Sequence, residues 1–88
     1  MDVKEYNECL SKVYIGEKSG LKSIYDANII PLYDYLYEIF KNKDTVNDIL
    51  AAFFLDIWNN TDNYKNTDND ILNFLLNKLT AFMEENYD

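Results

Sequence analysis

The side chains able to do chemistry in this sequence are overwhelmingly carboxylates: 16 Asp and Glu stand against 8 Lys, with no His and a single cysteine, Cys9. Without His, neither a Ser-His nor a Cys-His nucleophile pair can be assembled. One thiol cannot supply a zinc site or a disulfide framework, and Cys9 reads as a small apolar helix residue, with a reactive thiol as the minor reading. Gly16 and Gly20 stand in no phosphate-cradling loop. Paired carboxylates could act as acid and base, but that work needs two of them in one desolvated pocket, and here they are spread along polar faces. The Asp- and Asn-rich stretch from Asn59 to Asp70 lacks the ordered spacing, turn glycine and terminal Glu of a calcium loop. The expectation is a binding protein rather than an enzyme, with no cofactor and no metal.

The elements that must position these groups are helices. The chain has 88 residues, 48% of them hydrophobic and 16% aromatic, and a formal charge of −8. That is one domain with one core, too apolar for disorder in spite of its charge. Two Gly and one Pro leave too little punctuation for many strands. Val3, Tyr6, Leu10, Val13 and Tyr14 recur at helical spacing, and Gly16 supplies a stop. After a polar turn, Glu17 to Gly20, the set Leu21, Ile24, Tyr25, Ile29, Leu32, Leu36, Ile39 and Phe40 continues the pattern as far as Lys41. Pro31 lies inside it, and a kink or restart is expected there. Within this segment Tyr33 and Tyr37 flank Leu36 on the inner side, and Tyr35 is expected to be exposed.

Asp44 can cap a third helix whose inward positions are Val46, Ile49, Leu50, Phe53, Ile57 and Trp58, with Trp58 at the core or its rim. Asp44, Asp48 and Asp56 read as a solvated face or, alternatively, as a partner-binding face. Asn59 to Asn69 is a polar loop in which Tyr64 is the one large side chain. Helical spacing returns at Ile71, Leu72, Leu75, Leu79, Phe82 and Met83, with Thr67 or Asp68 as candidate N-caps. The fold class is therefore all-α, a compact bundle of about four helices over residues 1–88. No signal peptide or membrane-spanning run is visible, which points to a cytoplasmic protein.

The order of residues from Gly16 to Asn60 resembles domain 2 of the extracytoplasmic-function group of bacterial sigma factors. Gly16, Glu17, Leu21, Ile24 and Tyr25 occupy the steps of that family's first conserved helix, followed by Pro31, Leu32 and Tyr33. Its second conserved helix typically reads Asp-Ala-Glu-Asp-Leu-Val-Gln-Glu-Val-Phe-Leu-x-Leu-Trp. Thr45-Val-Asn-Asp-Ile-Leu-Ala-Ala-Phe-Phe-Leu-Asp-Ile-Trp58 is similar to it without a gap. The segment from Asn73 to Phe82 is more loosely similar to the family's last helix. The match is best over residues 16–60 and weaker over 70–86.

The resemblance implies a sigma domain 2-like bundle that acts in transcription initiation. Its second conserved helix would dock on the clamp coiled coil of the RNA polymerase β′ subunit through Asp48, Ala51, Ala52 and Leu55. Ala51 and Ala52 stand where the family has Gln-Glu, so such a contact would carry fewer polar hydrogen bonds. The resemblance also places promoter DNA near Tyr64, Lys65, Asn66, Asn77 and Lys78, with Tyr64 stacking on a base and Asn side chains reading base edges. Neutralising phosphates dominates affinity for DNA, so a chain at −8 with two lysines in that region is expected to bind DNA weakly without a partner.

The family's C-terminal helix-turn-helix domain has no counterpart in these residues. The chain is then either one domain of a longer protein or a stand-alone domain that works with a partner, such as an anti-sigma protein or one supplying upstream recognition. An alternative rests on charge: an acidic helical inhibitor of the immunity or phage type, masking a basic partner surface. A decayed relative that retains only its fold is a third reading.

Overall fold

The structure is a computed structural model that describes residues 1–66 and 69–87. It consists of helices α1 (Val3–Tyr14), α2 (Lys18–Phe40), α3 (Lys43–Asn59) and α4 (Ile71–Asn86), with a short 3-10 turn at Thr61–Tyr64. Among the described residues there is no strand. The four-helix, all-α expectation holds.

Local chemistry sets each boundary. Asp2 caps α1 by accepting from the Glu5 N–H at 2.8 Å, and Gly16, at φ +86°, turns the chain at the other end. The polar turn expected from Glu17 to Gly20 is shorter than predicted, because α2 already starts at Lys18. Gly20 is the reason a helix fits there: a Cβ at this position would overlap the Cys9 carbonyl oxygen and lie 2.8 Å from Lys12 Cβ. The bare backbone lets α2 close onto α1.

Pro31 neither breaks nor restarts α2, which is helical throughout its 23 residues. A proline inside a helix costs about 3 kcal/mol. Ile24, Leu32 and Leu36 lie on both sides of it and are wholly buried. Burying each contributes about 1.5–3 kcal/mol, so the continuous stripe outweighs the break. The helix ends at Lys41, which takes a left-handed φ of 53° and donates its N–H to the Tyr37 carbonyl at 2.8 Å.

Asn42, not Asp44, caps α3: its Oδ1 accepts from the Thr45 N–H at 2.9 Å, three residues on. Asp44 lies in the first helical turn, where a carboxylate favours the positive end of the dipole. Asp70 caps α4 by accepting from the Asn73 N–H at 3.0 Å. The caps expected at Thr67 and Asp68 fall outside the described residues.

The core joins Tyr6, Leu10 and Val13 of α1 to Ile24, Leu32 and Leu36 of α2, Phe53 and Ile57 of α3, and Leu75 and Leu79 of α4. Phe54, which lies off the stripe read from the sequence, is buried too and meets Tyr25 edge-on at 5.1 Å. Tyr14, Tyr25, Ile39 and Phe40 were expected inside and are exposed, each standing on the flank of its stripe. Tyr35 reverses its expectation. It is half-buried, with its hydroxyl 3.0 Å from Thr80 Oγ1. Thr80 gives its own proton to the Leu76 carbonyl at 2.9 Å, so Tyr35 is the donor that ties α2 to α4. Tyr37 is exposed and stacks on half-buried Tyr33 at 6.0 Å.

Candidate functional site

Helix periodicity puts Asp48, Ala51, Ala52 and Leu55 on adjoining positions of the outer surface of α3. Val46, Ile49, Leu50, Phe53 and Ile57 occupy the opposite face and fill the core. What remains outside is an exposed Asp48, an exposed Ala51, a half-buried Ala52 and Leu55, whose side chain is 58% exposed. Ala51 and Leu55 of this face also border α2, across a shallow groove. Its chemistry is one carboxylate beside a small apolar step and an aliphatic knob, which suits contact with another protein better than capture of a small molecule.

A groove runs beside that face, between the first turns of α2 and the last turns of α3. Leu21 and Tyr25 form one wall, Ala51, Leu55 and Trp58 the other, and Phe54 lies between them. Among the described residues its only charged lining side chains are those of Lys18 and Lys22. Trp58 is half-buried here and packs against the core, which places it at the core rim as the sequence predicts.

Of the residues singled out for DNA, Tyr64 and Lys78 come together, but they present no open stacking surface. Tyr64 is only 3% exposed. Its hydroxyl donates to Asp56 Oδ2 at 2.5 Å, and its carbonyl accepts from the Tyr6 hydroxyl at 2.5 Å. The Lys78 ammonium sits 5.7 Å from the Tyr64 ring centre and equally far from that of Phe74, while Phe53 meets Tyr64 edge-on at 5.8 Å. A ring held this way has no face free to stack on a base, so the stacking role expected of Tyr64 does not fit the fold. Asn66 is also buried, which takes it out of reach of base edges. Lys65 is exposed but pairs with Asp62 at 3.3 Å. Asn77 is exposed on α4. The hollow beside Tyr64 and Lys78 also contains Asp56 and Glu85, two carboxylates that repel phosphate.

Burial raises the Tyr64 phenol well above its ordinary range, and the hydrogen bond to Asp56 and that residue's charge push it further. Burial raises the Tyr6 phenol in the same direction. Both are structural donors. Among the described residues no three His, Cys, Asp or Glu side chains are grouped to hold a metal. Cys9 is a half-buried free thiol.

Sequence reasoning misses the groove, because Tyr25 and Leu55 each look like ordinary amphipathic-helix positions until the two helices are laid side by side. It also misses the bond from Tyr64 to Asp56. The eight-residue separation carries no local signal.

No helix among the described residues is long and apolar enough to cross a membrane. Comparison with known proteins finds no matching family model, no similar curated protein and no similar solved structure.

Proposed function

We infer that the chain is a sigma-like docking module of transcription initiation, which binds RNA polymerase through the outer face of α3 and takes part in promoter recognition or melting together with a partner. The observation that carries this reading is the exposure of Asp48, Ala51 and Leu55, the residues to which the resemblance assigns the polymerase contact. Promoter contact falls to the partner, since Tyr64 and Asn66 are buried and Lys65 and Lys78 are engaged within the chain.

The test is retention of the full chain on an isolated β′ clamp coiled coil. Micromolar binding that weakens in Asp48→Ala supports the reading, and no retention of the wild type overturns it.

The second reading, an acidic protein that masks a basic partner, draws on the way the charge is laid out. Among the described residues only three ion pairs form, all solvent-exposed and local to one helix or turn. Most carboxylates therefore face solvent without a cation beside them, and a chain at −8 would be steered to a basic surface. Binding to such a surface that falls steeply with salt, without retention on the coiled coil, selects this reading.

A further inference from the structure

Beyond polymerase docking, the groove between α2 and α3 has a chemistry of its own. Tyr25 and Leu55, 43% and 58% exposed, stand on its two walls, with half-buried Leu21 and Trp58 below. Two large exposed apolar side chains facing each other across a trough are the kind of surface that marks a protein contact. The groove takes in two turns of each helix, from Lys18 to Tyr25 and from Ala51 to Trp58, which at about 1.5 Å per residue is close to 10 Å of length.

Charge selects the occupant. In a chain at −8, no carboxylate among the described residues lines this groove, while Lys18 and Lys22 stand on its α2 edge one helical turn apart. Among the described residues Lys18 has no ion-pair partner. Lys22 pairs with Asp26 in an arrangement largely open to water, which an incoming carboxylate can replace. A helix laid in the trough with its apolar stripe down would set carboxylates spaced by one turn against these two ammonium groups.

We propose that the α2–α3 groove binds an amphipathic helix of a partner protein, its apolar stripe seated on Tyr25, Leu55 and Trp58 and its acidic edge on Lys18 and Lys22. The site shares Ala51 and Leu55 with the α3 face but does not depend on the polymerase reading. A second copy of this chain is a weaker occupant, because two molecules at −8 repel.

Trp58 is the only tryptophan in the chain and reports occupancy directly. The probe is a hydrocarbon-stapled helix of about 14 residues, long enough to hold its shape, with leucines at i, i+3 and i+7 and glutamates one turn apart beside them. Its control carries lysines in place of the glutamates. The expected result is a saturable blue shift of Trp58 emission at micromolar acidic peptide, about tenfold weaker for the lysine peptide. Leu55→Asp should abolish the shift. The double change Lys18→Glu with Lys22→Glu, both on exposed side chains, should reverse the preference between the two peptides.

No shift, or equal shifts with both peptides, overturns the proposal. So does a concentration-dependent dimer in sedimentation that Leu55→Asp disperses, since the groove would then belong to a second copy. Polymerase retention is scored on Asp48, outside the groove, so either idea can fail while the other stands.

Discussion

The Tyr6 hydroxyl donates to the main-chain carbonyl of Tyr64 across 58 residues of sequence, at 2.5 Å and in a site closed to water. This bond fastens the first helix to the turn that leads into the last. Tyr6 also meets Phe74 of α4 edge-on at 6.1 Å, so one side chain joins α1, the 3-10 turn and α4. Tyr6→Phe keeps the ring and strands the carbonyl. A loss of about 1–3 kcal/mol of unfolding free energy is expected, read from urea midpoints at unchanged slope.

The same two tyrosines set the alkaline limit of the fold. Both phenols are raised in the native state, Tyr64 first by burial and then by Asp56. The unfolded chain releases these protons at about pH 10, whereas the folded chain retains them. Above that pH the native state binds more protons, so stability is fully present below about pH 10 and falls as pH rises further. Urea titrations from neutral to strongly alkaline pH should show this decline. Tyr64→Phe should flatten it while lowering stability at neutral pH.

Gly20 inverts a common rule. Glycine in a helix costs about 1 kcal/mol relative to alanine, so Gly20→Ala would ordinarily stabilise. Here the new methyl meets main chain and a Cβ of α1, neither of which can swing aside. Separating α1 from α2 should cost about 1–3 kcal/mol. The expected outcome is a lower urea midpoint with far-UV circular dichroism unchanged in dilute buffer.

Asp48→Ala separates docking from folding. The side chain is exposed and makes no ion pair among the described residues, so unfolding free energy should stay within about 0.5 kcal/mol of the wild type. On the proposed polymerase reading, removing the Asp48 carboxylate takes away a charge-assisted hydrogen bond and weakens coiled-coil binding by about 1.5–3 kcal/mol, roughly tenfold to a hundredfold. Isothermal titration calorimetry beside a thermal melt reads both quantities.

The helices were legible because each carries a one-sided apolar stripe, and burial of that stripe is the largest local term. What stayed hidden depends on neighbours the sequence does not place. Pro31 looks like a break until Ile24, Leu32 and Leu36 are seen to share one core. Gly20 looks like a turn residue until α1 lies against it. Tyr35 falls outside the Leu36 stripe, yet Thr80 arrives from α4 to take its proton. Asp44 and Asn42 are both able caps, and main-chain geometry decided between them. Tyr64 was placed in the right region but in the wrong environment, since a lone aromatic in a polar loop reads equally well as a surface platform or as an anchor.

The unbroken course of α2 has a consequence for reach. At about 1.5 Å per residue its 23 residues extend about 35 Å, close to the 33 Å long axis of the whole molecule. The helix is a strut as long as the body it supports. Lys22, beside the groove, and Tyr37, in the exposed aromatic stack, lie about 22 Å apart along it. A partner helix seated in the proposed groove would therefore leave the Tyr33–Tyr37 end of the same strut exposed.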